Sequence, residues 1–147
     1  MLKILVIHGP NLNLLGEREP DIYGHLTLKD VNQKINDFAA ENKTEIKIFQ
    51  SNHEGAIIDF LHTNRKWAHG IVINPGALTH YSYALRDALT GIQLPAVEVH
   101  LSDIHNREEF RKISVIKEVC IHQISGKGFN SYLEGLKFIM NYLDNTK

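Results

Sequence analysis

Residues 2–23, LKILVIHGPNLNLLGEREPDIY, decide the fold. The run Ile4-Leu5-Val6-Ile7 is continuously apolar and rich in β-branched side chains, the pattern of a strand covered on both faces and therefore of a parallel sheet. A stretch from Gly9 to Tyr23 follows it. Strand-to-helix connections in compact α/β domains usually take about 2–6 residues, and much longer ones are functional or disordered. Asn11, Asn13, Arg18 and Tyr23 supply fixed donors, a permanent cation and a phenol, where a disordered linker would be richer in Ser, Gln and Lys. The stretch is expected to be an active-site lid.

Outward from this point, apolar periodicity alternates between strand-like runs and helical stripes, as in β-α units wound around a parallel sheet. Strands are expected over 2–8, 45–50, 70–74, 96–101 and 119–124. Thr27 with Asp30 forms a capping-box pattern ahead of Leu28, Val31, Ile35 and Phe38, which recur at helical spacing. Further helices are expected over 56–65, 78–89 and 132–143, with a short charged one over 107–112. Five strands and five helices in this order predict a three-layer, doubly wound, flavodoxin-like α/β fold with a five-stranded parallel sheet, residues 1–147 making one domain. Ligands of such sheets bind outside the carboxyl ends of the strands, where the strand order reverses.

Composition narrows the partners. With 147 residues, 43% of them hydrophobic, the chain can bury a sizeable core. Sixteen basic residues against 17 acidic ones leave a formal charge of −1, without the electrostatic footprint of a nucleic-acid or anionic-membrane binder. Cys120 is the only cysteine, so no internal disulfide forms and a reducing cytoplasm is expected. Neither a signal peptide nor an apolar run of about 18 residues is evident.

The strand ends carry His8-Gly9-Pro10-Asn11, Asn74-Pro75-Gly76-Ala77 and Glu98-Val99-His100-Leu101-Ser102, which the fold would bring to one crevice. Glu98 and His100, two apart on a strand, project to one face while Val97 and Val99 take the other. A carboxylate beside an imidazole favours the imidazolium and fixes its proton, which suits His100 as an acid; the plainer alternative is a surface pair. A phenol is ionised only to the order of one part in a thousand at neutral pH, so Tyr23 needs a nearby cation to act as a base. Arg18 is available on the same loop, although a lone Tyr and Arg on a loop are more commonly solvent-facing. His80 could meet a ligand from above the third strand.

Other chemistries lack their motifs. Nine histidines include no HExxH, there is no CxxC, and His100 and His105 are separated by an expected turn, so no metal site is predicted. Cys120, alternating with Val119 and Ile121 in an expected strand, is read as a small buried side chain. Gly126-Lys127-Gly128 is not a P-loop, and no G-x-G-x-x-G follows the first strand. A flavodoxin-like binding or signalling module would need a phosphate loop or the paired acids of a receiver where His8-Gly9-Pro10-Asn11 stands. A serine hydrolase would need Ser82 or Ser102 within G-x-S-x-G, and neither lies in one.

The strings VIHGPNLNLLGEREPDIYG, FQSNHEGAIIDFLH, GIVINPGALTHYSYALRDAL, PAVEVHLSDIHNREEFR and SGKGFNSYLEGL together resemble the type II 3-dehydroquinate dehydratases over essentially the whole chain. The resemblance implies elimination of water from 3-dehydroquinate to 3-dehydroshikimate through an enolate, a step of the shikimate pathway toward aromatic precursors, with no metal or organic cofactor. It implies Tyr23 as the base with Arg18 beside it, His100 as the acid oriented by Glu98, and Asn11 near the enolate oxygen. Asn74 and the backbone amides of Leu101 and Ser102 would receive the substrate carboxylate, His80 and Arg111 its hydroxyls. Asp87 would reach a neighbouring subunit's site, implying trimers and a homo-dodecamer of four trimers. Arg111-Lys112-Ile113-Ser114 departs from the family's RHHS string.

Overall fold

The computed structural model describes residues 1–146. Five parallel strands, β1 (Lys3–His8), β2 (Glu45–Gln50), β3 (Gly70–Asn74), β4 (Ala96–Val99) and β5 (His122–Ile124), form one sheet in the order β2-β1-β3-β4-β5. The order reverses between β1 and β3, as expected for a doubly wound flavodoxin-like sheet. His8 pairs with Asn74 in register at that reversal; Asn74 lines the crevice above it, while His8 is buried behind it.

Alternation along the strands sorts the core into two halves. Ile4, Val6, Val72, Val97 and Val99 face α2 (Leu28–Glu41) and α5 (Asn130–Asn145), packing on Val31, Ile35, Leu136 and Ile139. Leu5, Ile7, Ile71, Ile73 and Ala96 face α3 (Glu54–Asn64) and α4 (Tyr83–Ile92), meeting Ile57, Leu61, Leu85 and Leu89. Every residue of β3 is buried, which explains its unbroken apolar run. The capping box on α2 is present as expected: Thr27 Oγ1 accepts from the Asp30 N–H while the Asp30 carboxylate accepts from the Thr27 N–H.

Several element boundaries depart from expectation. The chain over 9–27 is not a featureless loop, for it contains a 3-10 turn at Leu12–Leu14 and a single helical turn, α1 (Pro20–Tyr23), opened by Pro20 at the first helical position. β4 stops at Val99 because the Leu101 and Ser102 carbonyls leave the sheet to accept the Gly128 and Gly126 N–H groups. β5 begins at His122: Lys117–Val119 coils into a 3-10 turn and the Cys120 N–H goes to Lys117, so Cys120 is in a turn and not in a strand. It is nevertheless partly buried against the core on the α3 and α4 side, and burial pushes its thiol up to about 12. The helix expected over 78–89 is two elements, a 3-10 turn at Gly76–His80 and then α4, which restarts where Ser82 Oγ accepts the Leu85 N–H. The charged helix expected over 107–112 is a 3-10 turn at Glu109–Lys112.

Candidate active site

At the strand reversal the backbones of two loops touch. The Gly9 N–H donates to the Asn74 carbonyl at 2.8 Å, and a Cβ on Gly9 would lie 2.4 Å from the Pro75 oxygen. Only glycine fits there. Asn11 then turns back with φ 70°, a left-handed conformation that Asn tolerates better than most residues. Its N–H is tied at 2.9 Å to Asn52 Oδ1, from the loop after β2. Asn52 is a positioning contact that the sequence reading did not single out.

The cleft above the reversal is lined by Asn11, Arg18, Tyr23, Asn74, His80, His100, Leu101, Ser102 and Arg111, nine of the eleven residues expected at the site. Glu98 lies beneath the cleft, behind His100. Asp87 is elsewhere, exposed on α4 and outside this chain's own cleft. His80 sits in the 3-10 turn and not in a helix; its Nδ1 donates to the Ile113 carbonyl at 2.7 Å, and its ring meets Phe110 edge-on. Burial pushes the His80 pKa down, so the neutral ring turns Nε2 out as an acceptor. Among the described residues, the N–H groups of Leu101 and Ser102 donate to nothing within the chain. Paired with the cation of Arg111, such free amides suit an anion or a polyol.

Glu98 is completely buried, a costly place for a carboxylate. Thr79 Oγ1 donates to its Oε2 at 2.5 Å, Ser114 Oγ lies 2.9 Å from both oxygens, and His100 Nε2 approaches Oε2 at 2.6 Å. Burial alone would raise this carboxyl; hydrogen bonds and charge from His100, with the two hydroxyls, outweigh it and hold the group below the usual carboxylate range. An ionised Glu98 can only accept, so the proton of His100 stands on Nε2 and Nδ1 is the nitrogen left for the cleft. The pairing read from the two-residue spacing is therefore present, and it is a buried pair, not a surface one. Thr79 and Ser114 come from distant turns and had no signal in the spacing.

Across the cleft, Arg18 Nη2 donates to Tyr23 Oη at 3.1 Å, and its guanidinium lies 4.3 Å from the ring centre. A second arginine completes the group: Arg107 Nη1 donates to the same oxygen at 2.8 Å and to Ser102 Oγ at 3.2 Å. Eighty-four residues separate Arg107 from Tyr23. Two permanent cations thus converge on one phenolic oxygen, the place where a phenolate would carry its charge.

The chain is similar along nearly its whole length to proteins of one kind. The chain is 57% identical over 143 residues to the 3-dehydroquinate dehydratase of Halothermothrix orenii, covering 97% of each chain. It is 55% identical to that of Dictyoglomus turgidum, over 98% of this chain and 99% of that one. Its backbone matches the crystal structure of type II dehydroquinase from Butyrivibrio crossotus with a TM-score of 0.93 at 48% identity, covering 95% and 97% of the two chains. Because the model of the class II dehydroquinase family also matches residues 2–140, the chain belongs to that family.

Proposed function

We propose that this protein eliminates water from 3-dehydroquinate to give 3-dehydroshikimate, a step of the shikimate pathway. Membership of the class II dehydroquinase family supports the reaction. The observation that carries the mechanism is the facing pair of groups: Tyr23 Oη under two guanidiniums, and His100 backed by a buried carboxylate. Tyr23, as phenolate, takes a proton from the carbon next to the ketone, and the electron pair moves onto the ketone oxygen as an enolate. A water or donor positioned at Asn11 stabilises that oxygen; one preorganised donor at a developing oxyanion is worth about 2.7–4 kcal/mol. The enolate then collapses, expelling the β-hydroxyl, which takes a proton from His100 and leaves as water. Glu98 holds the imidazole in place and stabilises its charged form.

Asn74 and the free amides of Leu101 and Ser102 are assigned to the substrate carboxylate, His80 and Arg111 to its hydroxyls. Arg107 joins Arg18 in stabilising the phenolate. The steps need no metal or organic cofactor. Asp87, exposed beside Tyr83 at the solvent side of α4, is assigned to a neighbouring subunit's site in a trimer, four of which would form a dodecamer. A cytoplasmic setting belongs to the same proposal; no described helix is long and apolar enough to cross a membrane. Purified protein mixed with dehydroquinate is expected to produce a conjugated enone, followed as rising ultraviolet absorbance, with the same rate in chelator and after borohydride treatment in the presence of substrate. No absorbance rise would reject the function, and loss of activity in either treatment would reject the mechanism.

A further inference from the structure

A line of buried hydrogen bonds runs behind the cleft, on the sheet face opposite Glu98. His8, fully buried at the end of β1, meets Asn32 Oδ1 of α2 through Nε2 at 2.8 Å and Tyr132 Oη of α5 through Nδ1 at 2.7 Å. Asn74 Nδ2, at the end of β3, donates to the same Tyr132 oxygen at 3.1 Å, while Asn74 Oδ1 accepts the Gly76 N–H at 3.2 Å. Tyr132 has no exposed surface.

Each link dictates the next. An amide oxygen only accepts, so Asn32 places the proton of the neutral imidazole on Nε2. Nδ1 is then an acceptor and takes the Tyr132 hydroxyl hydrogen. Having given its one hydrogen away, the Tyr132 oxygen must accept from its remaining neighbour, which admits the NH₂ of Asn74 and rejects its carbonyl. Burial drives His8 down to about 4, so the ring is neutral at physiological pH and the ordering persists. The carbonyl of Asn74 is occupied by Gly76, and one amide hydrogen remains unassigned on a side chain that lines the cleft.

We propose that His8 and Tyr132 are positioning residues whose hydrogen-bond line locks the Asn74 amide with its nitrogen edge available to an anionic oxygen of the substrate. The inference rests on the functional reading above, in which that oxygen belongs to the carboxylate of dehydroquinate. A flipped amide would present its carbonyl to the carboxylate and repel it. Nothing in the line touches the reacting carbon atoms, so its effect falls on binding more than on turnover.

Tyr132→Phe keeps the ring and removes the central link. It is expected to raise KM for dehydroquinate about tenfold, the cost of one misdirected charge-assisted hydrogen bond, with kcat within about threefold of wild type. Because Tyr132 acts through Asn74, Tyr132→Phe combined with Asn74→Ala is expected to have the KM of Asn74→Ala alone. An unchanged KM in Tyr132→Phe, or a double variant in which the two costs multiply, would overturn the inference. Should Tyr132→Phe fail to fold, two His8 variants decide it. His8→Asn leaves an acceptor near the Nδ1 position and is expected to retain the wild-type KM, whereas His8→Leu leaves none and is expected to raise it; equal KM values in both would overturn the inference. Wild-type turnover of dehydroquinate is the control: its absence rejects the functional reading, while its presence with unmoved variants rejects only the positioning role.

Discussion

Arg107 shows what single-residue reasoning reaches and misses. Arg18, five residues before Tyr23, was visible as its partner because both lie on one loop. Arg107 makes the shorter contact, yet it comes from beyond β4, and no local spacing links it to Tyr23. The same holds for Thr79 and Ser114, which close around Glu98 only once the 3-10 turns are folded. Local pairs such as Glu98 and His100 are legible; contacts made by folding across the sheet are not. Arg107→Gln retains hydrogen-bonding capacity while removing one of the two positive charges. It is expected to lower kcat on dehydroquinate by about 10- to 100-fold with a smaller change in KM, since a charge stabilising the phenolate acts on the transition state; steady-state kinetics check this.

At the scale of elements, two strands were read to their observed bounds: β2 over 45–50, although it lies at the sheet edge, and β3 over 70–74. β3 is buried at every position. Strand ends that run into turns, at β4 and β5, were harder. Val119, Cys120 and Ile121 have strand-like composition, but a 3-10 turn holds Val119 instead. The helix over 78–89 looked continuous because apolar spacing carries through Leu78, Leu85 and Leu89, whereas the capping role of Ser82 marks a restart. The meeting of the β1 and β3 loops sets the cleft floor, and it depends on a missing side chain at Gly9. Gly9→Ala would drive a Cβ into the Pro75 backbone, which cannot rotate away as a side chain can. It is expected to cost about 1–3 kcal/mol or more in denaturant unfolding, with activity falling further because Asn11 and Asn74 are displaced.

For the whole molecule, the two sheet faces carry different polar burdens, and both make the fold sensitive to acid. His8 is held neutral at about 4, so between pH 6.5 and about 4 the unfolded chain takes up a proton that the folded chain refuses. Its contribution is fully present above pH 6.5 and is lost progressively as pH falls, by about 3 kcal/mol across the window. Glu98, held below the usual carboxylate range, adds a further loss at lower pH. Urea midpoints should therefore fall between pH 7 and 4.5, and fall less in His8→Asn, which has no imidazole at that place. The assembly is tested separately: sedimentation should give the mass of a trimer or of twelve chains, and Asp87→Ala should lower activity without changing the fold. The contact between Tyr23 and Arg107 joins α1 to the turn after β4, so the atom assigned to proton abstraction is also a clasp between two segments of the mouth. A phenolate grips a guanidinium harder than a phenol does. On the proposed mechanism, each proton that Tyr23 gains from substrate would therefore slacken this clasp.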